Sequence, residues 1–319
     1  MSDAVATTAP IAEASEPRNF ARAPLPFSRP ALVINAASGS TEDIRIPARE
    51  IAARYGLELR AEYVEPSEIA QTVDAIMAEG CDLFISYGGD GTSRASGETA
   101  IANDIPFVPL PGGTMNMLPR LLYRTQDWAH ALVQAFEAAG TTGARWHPRG
   151  DMNGHAFFCG GFVGKPTRLN EVRECLRDGG VGEAMDCLRK VIGEIDLDDV
   201  LRFGPLDAPT AGTANLINIQ NPGMGQKARI GCGMEMTGID VDGAIDLATL
   251  GVTALTGDFR DSDCAHTFVV TEGEIHYDGK PDVLLDGEPI EMAAPLRLRL
   301  IERGVRVLAP PLADGDTLK

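Results

Sequence analysis

The apolar residues of this chain follow two patterns that meet near Gly150. In the first half, short continuous apolar runs alternate with stretches of helical period. Residues 31–35 (ALVIN) open into Ala36-Ala37-Ser38-Gly39-Ser40, the pattern of a buried strand followed by a small-residue loop. A helical segment closing near Tyr55-Gly56 follows, and residues 57–64 read as a second strand. From Ser67, an expected N-cap, Ile69, Val73, Ile76 and Met77 fall on one helical face, and Gly80 ends the pattern. Residues 83–87 are a third strand, another helix follows, and a fourth strand over 105–110 ends in Pro111-Gly112-Gly113-Thr114-Met115-Asn116. Strands that alternate with helices pair in parallel, so this half predicts an α/β domain with a parallel sheet.

Beyond Gly150 the runs at 156–162, 214–220, 245–250, 267–271 and 296–301 are short and punctuated by Gly, Pro and Asp. That is the signature of a β-rich antiparallel second domain. One helical stretch, 169–195, interrupts it and reads either as a surface flap that admits lipid or, since its apolar residues include Val172, Leu176 and Leu188, as an ordinary packed helix. The expected division is a disordered leader over 1–28, an α/β domain over 29–145, a β-rich domain over 146–304, and a tail over 305–319 that can return to the first domain. The leader is rich in Ala, Pro, Ser, Thr and Glu and lacks both a basic start and an apolar core, so it does not read as a signal peptide. No run approaches the ~18 apolar residues of a spanning helix, so membrane contact is expected to be peripheral.

Charge narrows the partners. With 28 Lys and Arg against 46 Asp and Glu, the net charge of −18 argues against nucleic acid and weakens simple attachment to anionic lipid. Arg120, Arg124, Arg145, His147 and Arg149 are close enough in sequence to leave a local basic face open. Six scattered cysteines without a C-x-x-C pair read as free thiols in a reducing cytoplasm, and five histidines show no metal-ligand spacing.

The chemistry lies in the loops after the first, third and fourth strands. Gly88-Gly89-Asp90-Gly91-Thr92 ends a buried strand, where an ordinary turn needs one glycine. Residues without Cβ let backbone N–H groups approach an anion, and a following helix adds its positive end. Asp90 would repel a bare phosphate unless a divalent cation, a donor hydroxyl or a ribose stands between them. A strained turn explains G-G-D-G-T alone; it does not explain two similar loops, at Ser38 and Gly112, on the same edge, where open parallel sheets bind ligands. Gly164-Lys165-Pro166-Thr167 is not a Walker A loop, because proline occupies the hydroxyl position, and no G-x-G-x-x-G follows the first strand.

Taken together, G-G-D-G-T, P-G-G-T-M-N, the upstream Asn35-x-x-Ser38-Gly39, the segment Val241–Leu247 and the late Asp286-Gly287-Glu288 resemble the diacylglycerol kinase catalytic family, which includes sphingosine and ceramide kinases and is distantly similar to NAD kinases. The resemblance covers about residues 30–310. It implies ATP and Mg2+ on the α/β domain, a neutral membrane lipid on the β-rich domain, and an active site in the cleft between them. Carried over by position, Asn35, Ser38, Gly88, Gly89, Asp90, Gly91, Thr92, Gly113, Thr114 and Asn116 would contact the nucleotide. Asp286 and Glu288 would reach from the second domain toward the γ-phosphate, its magnesium and the lipid hydroxyl, with Glu288 expected as the base and Asp90 second. Asp242 would hold a structural Mg2+ with the carbonyls of Ile239 and Ala244. The chain departs from the family pattern at Arg94-Ala95, where Asn-Glu is usual, at Ala36 in place of a proline, at Met115, and at Val64-Glu65, which offers no threonine. Arg94 reads either as a phosphate ligand or as a surface residue of the following helix. A kinase acting on NAD, and a silent lipid- or nucleotide-binding module, are the alternatives.

Overall fold

Four parallel strands, each followed by helix or loop, give way to an antiparallel meander whose last strand returns to the first sheet. The computed structural model describes residues 25–38, 42–164, 200–225, 229–240 and 265–312. In chain order these form β1 (Pro30–Asn35), α1 (Arg45–Ala53), β2 (Arg60–Val64), a 3-10 turn (Pro66–Glu68), α2 (Ile69–Ala78), β3 (Leu83–Gly88), α3 (Asp90–Ala102), β4 (Phe107–Pro111), α4 (Met117–Tyr123) and α5 (Trp128–Thr141). Then come β5 (Arg145–Met152), β6 (His155–Phe157), β7 (Gly160–Val163), β8 (Leu201–Pro205), β9 (Gly212–Ala214), β10 (Leu216–Gln220), β11 (Met234–Ile239), β12 (Ala265–Val270), β13 (Glu272–His276), β14 (Val283–Leu285), β15 (Glu288–Pro289) and β16 (Leu296–Val307).

Among the described residues the larger sheet runs β2-β1-β3-β4-β16-β13-β8-β9, with β5 on the other side of β16. Strands β2, β1, β3 and β4 are parallel. The smaller sheet, β12-β11-β10-β7-β14-β15, is antiparallel. All six residues of β3 are buried, as a central parallel strand covered on both faces requires. In β16 Leu296 and Leu298 point inward while Arg297 and Arg299 point out. This strand joins two hydrophobic cores. Leu296 and Leu298 belong to the core of the antiparallel part, whereas Val305, Val307, Leu308 and Ala309 belong to the core around β1, β3 and β4. Tyr123 at the end of α4 fixes the return by donating its buried hydroxyl to the Leu308 carbonyl at 2.9 Å.

Several local expectations are corrected. Ser67 does not cap α2; it lies inside the Pro66–Glu68 turn, where proline's fixed φ starts a 3-10 turn first, and the helix proper starts at Ile69. The second strand begins at Arg60, although Leu57 and Leu59 ahead of it are buried. The run at 156–162 divides into β6 and β7 around Phe158 and Cys159, and the last run continues past residue 301 to Val307. The basic cluster is not one face: His147 is fully buried, and Arg145 turns toward the carbonyls of Ala309 and Pro310 at 3.3 and 3.1 Å. The helical stretch at 169–195, the run at 245–250 and most of the leader lie outside the described residues. Among the described residues no helix is long and apolar enough to cross a membrane.

Candidate active site

The carboxyl ends of β1, β3 and β4 bring three loops together. Gly112 donates its N–H to the Gly88 carbonyl at 2.9 Å. An added Cβ on Gly113 would lie 2.6 Å from the Gly89 Cα, so this approach of two backbones needs a residue without a side chain. The first loop is tied in by Asn35, whose amide donates to the Thr92 hydroxyl at 2.9 Å. Ser38 faces the same place, its hydroxyl 3.3 Å from where a Gly89 Cβ would stand. Gly89 caps α3 with an extended backbone, so the positive N-terminal end of this helix lies at the junction of the loops.

Asn116 organises the third loop. It is buried, sits in the left-handed region at φ 50°, and caps α4. Its side-chain oxygen accepts from the Gly113 N–H at 2.7 Å, and its amide donates to the Gly113 carbonyl at 2.7 Å and to Gln126 at 2.8 Å. Asp90, the first residue of α3, accepts the Met117 N–H at 2.7 Å, which locks the second and third loops to each other. Thr114, by contrast, is exposed at the tip.

The antiparallel part supplies two carboxylates to this edge, and they are held in opposite ways. Glu288, at the start of β15, is exposed and lies against the first turn of α3: an added Cβ on Gly91 would stand 2.2 Å from its Oε1. Asp286 is buried with φ 49° and turns inward. Its carboxylate accepts three successive backbone N–H groups, from Phe158 at 2.7 Å, Cys159 at 2.8 Å and Gly160 at 2.9 Å. Burial nevertheless outweighs these bonds and, with the Asp90 charge nearby, pushes Asp286 up to about 6. The same burial, with both carboxylates facing it, raises the Cys159 thiol well above its ordinary range.

Of the residues named from sequence, Asn35, Ser38, the Gly88–Thr92 loop, Gly113, Asn116 and Glu288 therefore surround one space. Of the expected structural cation site only Ile239, at the end of β11, is described; Asp242 and Ala244 lie outside the described residues. Among the described residues no cluster of three His, Cys, Asp or Glu side chains forms a metal site. Arg94 lies on α3 and pairs with Glu98 one turn on at 3.0 Å. Sequence reasoning missed Gln126, the amides of 158–160, and Asn221, whose amide donates to the Phe157 carbonyl at 2.7 Å while its N–H donates to that of Cys159 at 2.9 Å. Asn221 follows β10 in Asn-Pro-Gly, which by itself reads only as a turn.

Known proteins resemble this chain over the same elements. A solved structure of a diacylglycerol kinase from Bacillus anthracis str. Sterne superposes with a TM-score of 0.62 at 15% identity, covering 90% of this chain and 98% of that one. Two further structures from the same organism, provisionally described as diacylglycerol kinase, give TM-scores of 0.65 and 0.64, both at 17% identity and with the same coverage. At such identities the likeness establishes the fold. No curated protein matches the chain by sequence. Residues 29–143, which carry all three loops, match the diacylglycerol kinase catalytic domain, so this stretch of the chain is similar to that domain.

Proposed function

We propose that the chain is an ATP-dependent lipid kinase that moves the γ-phosphoryl group to the primary hydroxyl of a neutral two-chain lipid, either diacylglycerol or a ceramide or sphingoid lipid. The observation that carries this reading is the approach of Glu288 to Gly91. It puts a carboxylate from the antiparallel part beside a helix N-terminus and a glycine cradle, which is the pairing that phosphoryl transfer to an alcohol needs.

The backbone suits a phosphate chain: glycines at 88, 89, 91 and 113 let the loops approach closely at the edge where α3 begins, and the positive end of that helix favours an anion there. Asn35, Ser38, Thr92, Thr114 and Asn116 would orient the nucleotide, partly by direct contact and partly by holding the loops. Magnesium would supply charge neutralisation between the phosphates and Asp90. Glu288 would accept the proton of the lipid hydroxyl as its oxygen attacks phosphorus, a role that asks for an ionised, accessible carboxylate. The lipid would reach the site by peripheral contact of the protein with a membrane surface.

The test is transfer of label from ATP, with magnesium, to diacylglycerol, ceramide, sphingosine and NAD, the lipids in detergent micelles, for the native chain, Glu288→Gln and Asp90→Asn. Label on one of the lipids, reduced about 10²- to 10⁴-fold in Glu288→Gln, is the expected result. Label on NAD alone, or nucleotide binding without transfer to any acceptor, would overturn the reading.

A further inference from the structure

Asp286 stands two residues before Glu288, yet its carboxylate is buried and taken up by backbone N–H groups, where that of Glu288 is exposed. The three amides it accepts belong to a short strap, residues 157–160, that links β6 to β7. The strap is gripped from several directions. Asn221 holds the carbonyls of Phe157 and Cys159. The Phe158 ring packs on α3 at Gly97, where an added Cβ would lie 2.6 Å from the ring carbons. The Leu118 backbone, next to the Met117 N–H that binds Asp90, interacts with the Cys159 thiol. Asp286 closes the loop by donating its own N–H to the Gly160 carbonyl at 2.8 Å.

This arrangement makes a continuous path from Asp90, through the start of α4 and the strap, to Asp286 and so to Glu288. We propose that Asp286 is a positioning residue: its carboxylate clasps the 158–160 backbone, and this clasp holds the Glu288 carboxylate over Gly91. The inference rests on the lipid-kinase reading for its effect on catalysis, but not for the clasp itself. An ionised carboxylate satisfies three donors at once, which a protonated one does poorly. Asp286 faces the carboxylate of Asp90 on α3 and the thiol of Cys159 in the strap, and burial brings its titration to about 6. Loosening of the clasp therefore falls within an accessible range of acid pH.

Asp286→Asn is the informative variant, because asparagine tolerates the left-handed backbone at this position while removing the charge and one acceptor. Two measurements separate the alternatives. First, hydrogen exchange of the Phe158, Cys159 and Gly160 amides, corrected for intrinsic rates, should be at least about tenfold faster in the variant than in the native chain at pH 7.5. The same amides should loosen in the native chain between pH 7.5 and 5, while those of β3 do not, so the test survives a variant that fails to fold. Second, kcat for lipid phosphorylation should fall about 10²-fold in the variant with the Kd for ATP-magnesium nearly unchanged, and the acid limb of the native profile near pH 6 should move lower. Unchanged exchange, an acid limb that stays in place, or a Kd that weakens in step with kcat would each overturn the proposal, the last by showing that Asp286 touches the nucleotide. If the native chain phosphorylates no lipid, the kinase reading fails, and exchange alone decides whether the clasp exists.

Discussion

Replacing Gly91 by alanine should make the protein more stable and less active. Gly91 occupies the first turn of α3 with an ordinary helical backbone, so the substitution removes a residue that costs a helix up to about 1 kcal/mol relative to alanine. The new Cβ would stand 2.2 Å from Glu288 Oε1, whereas ordinary contact begins at 3.4 Å, so the carboxylate must retreat by about 1.2 Å. Glu288 is exposed, and its side chain can swing aside with little loss of stability. A misplacement of about 1 Å in a reacting group costs roughly 10²-fold in rate. The expected result is a urea midpoint equal to or above that of the native chain, a kcat reduced by about two orders of magnitude, and a Kd for ATP-magnesium within about threefold. A kcat unchanged within about twofold would refute the argument that the carboxylate works from the place where it rests against Gly91. Loss of nucleotide binding equal to the loss of kcat would instead show that Cβ intrudes on the phosphates.

Three further expectations concern the frame around the site. Gly97→Ala forces a methyl to within 2.6 Å of the Phe158 ring and should destabilise the fold by about 1–3 kcal/mol, visible as a lower urea midpoint. Asn116→Ala removes three side-chain bonds, leaves the Gly113 N–H and Gln126 without that partner, and puts alanine in the left-handed region; a loss of about 3 kcal/mol and weaker ATP binding are expected in denaturation and titration experiments. His147 is buried with neither ring nitrogen bonded, and burial, aided by the Arg145 charge, depresses it to about 3. Because the fold holds this histidine neutral, its contribution is complete above pH 6.5 and drains away as pH falls toward 3, about 5 kcal/mol in all. His147→Leu should therefore flatten the decline of the urea midpoint between pH 6.5 and 4.5, and an equally steep decline in the variant would refute this account.

The glycine-rich half of the candidate site was legible in the sequence because its signal is the absence of side chains. A chain that spends glycines at 88, 89, 91, 112 and 113 on one predicted edge is declaring where backbones must approach each other or a ligand, and Gly112, Gly113 and Gly91 do so here. The parallel sheet was legible for a similar reason, since strands such as β3 are apolar on both faces. Helix α4 was harder, because Pro119 interrupts its pattern; in the first turn of a helix proline sacrifices no hydrogen bond, so the chain tolerates there what a reader takes for a break. His147 was grouped with the arginines of a candidate basic face because its sequence neighbours are basic. Strand alternation buries it while leaving Trp146 at the surface, and the strand itself was not visible in Arg-Trp-His-Pro-Arg.

The two carboxylates of Asp286-Gly287-Glu288 show most clearly where pattern stops being informative. Both are acidic, both flank a glycine with positive φ, and nothing in the triplet says which one faces the cleft. The choice is made by residues far away in sequence. The amides of Phe158, Cys159 and Gly160 lie between the end of β6 and the first residue of β7, and buried donors without an acceptor would cost more than an aspartate turned inward at φ 49°. The last strand repeats the lesson. The alternation of Leu296 to Leu300 fails at Glu302-Arg303-Gly304, which looks like an ending, but the register shifts there and Gly304 admits Arg149, whose Cγ would lie 2.6 Å from any Cβ at that position. The strand thereby leaves one core and enters the other. A break in period that ends an element in isolation can, when a partner strand supplies the missing contact, be the means by which one element spans two cores and ties them together.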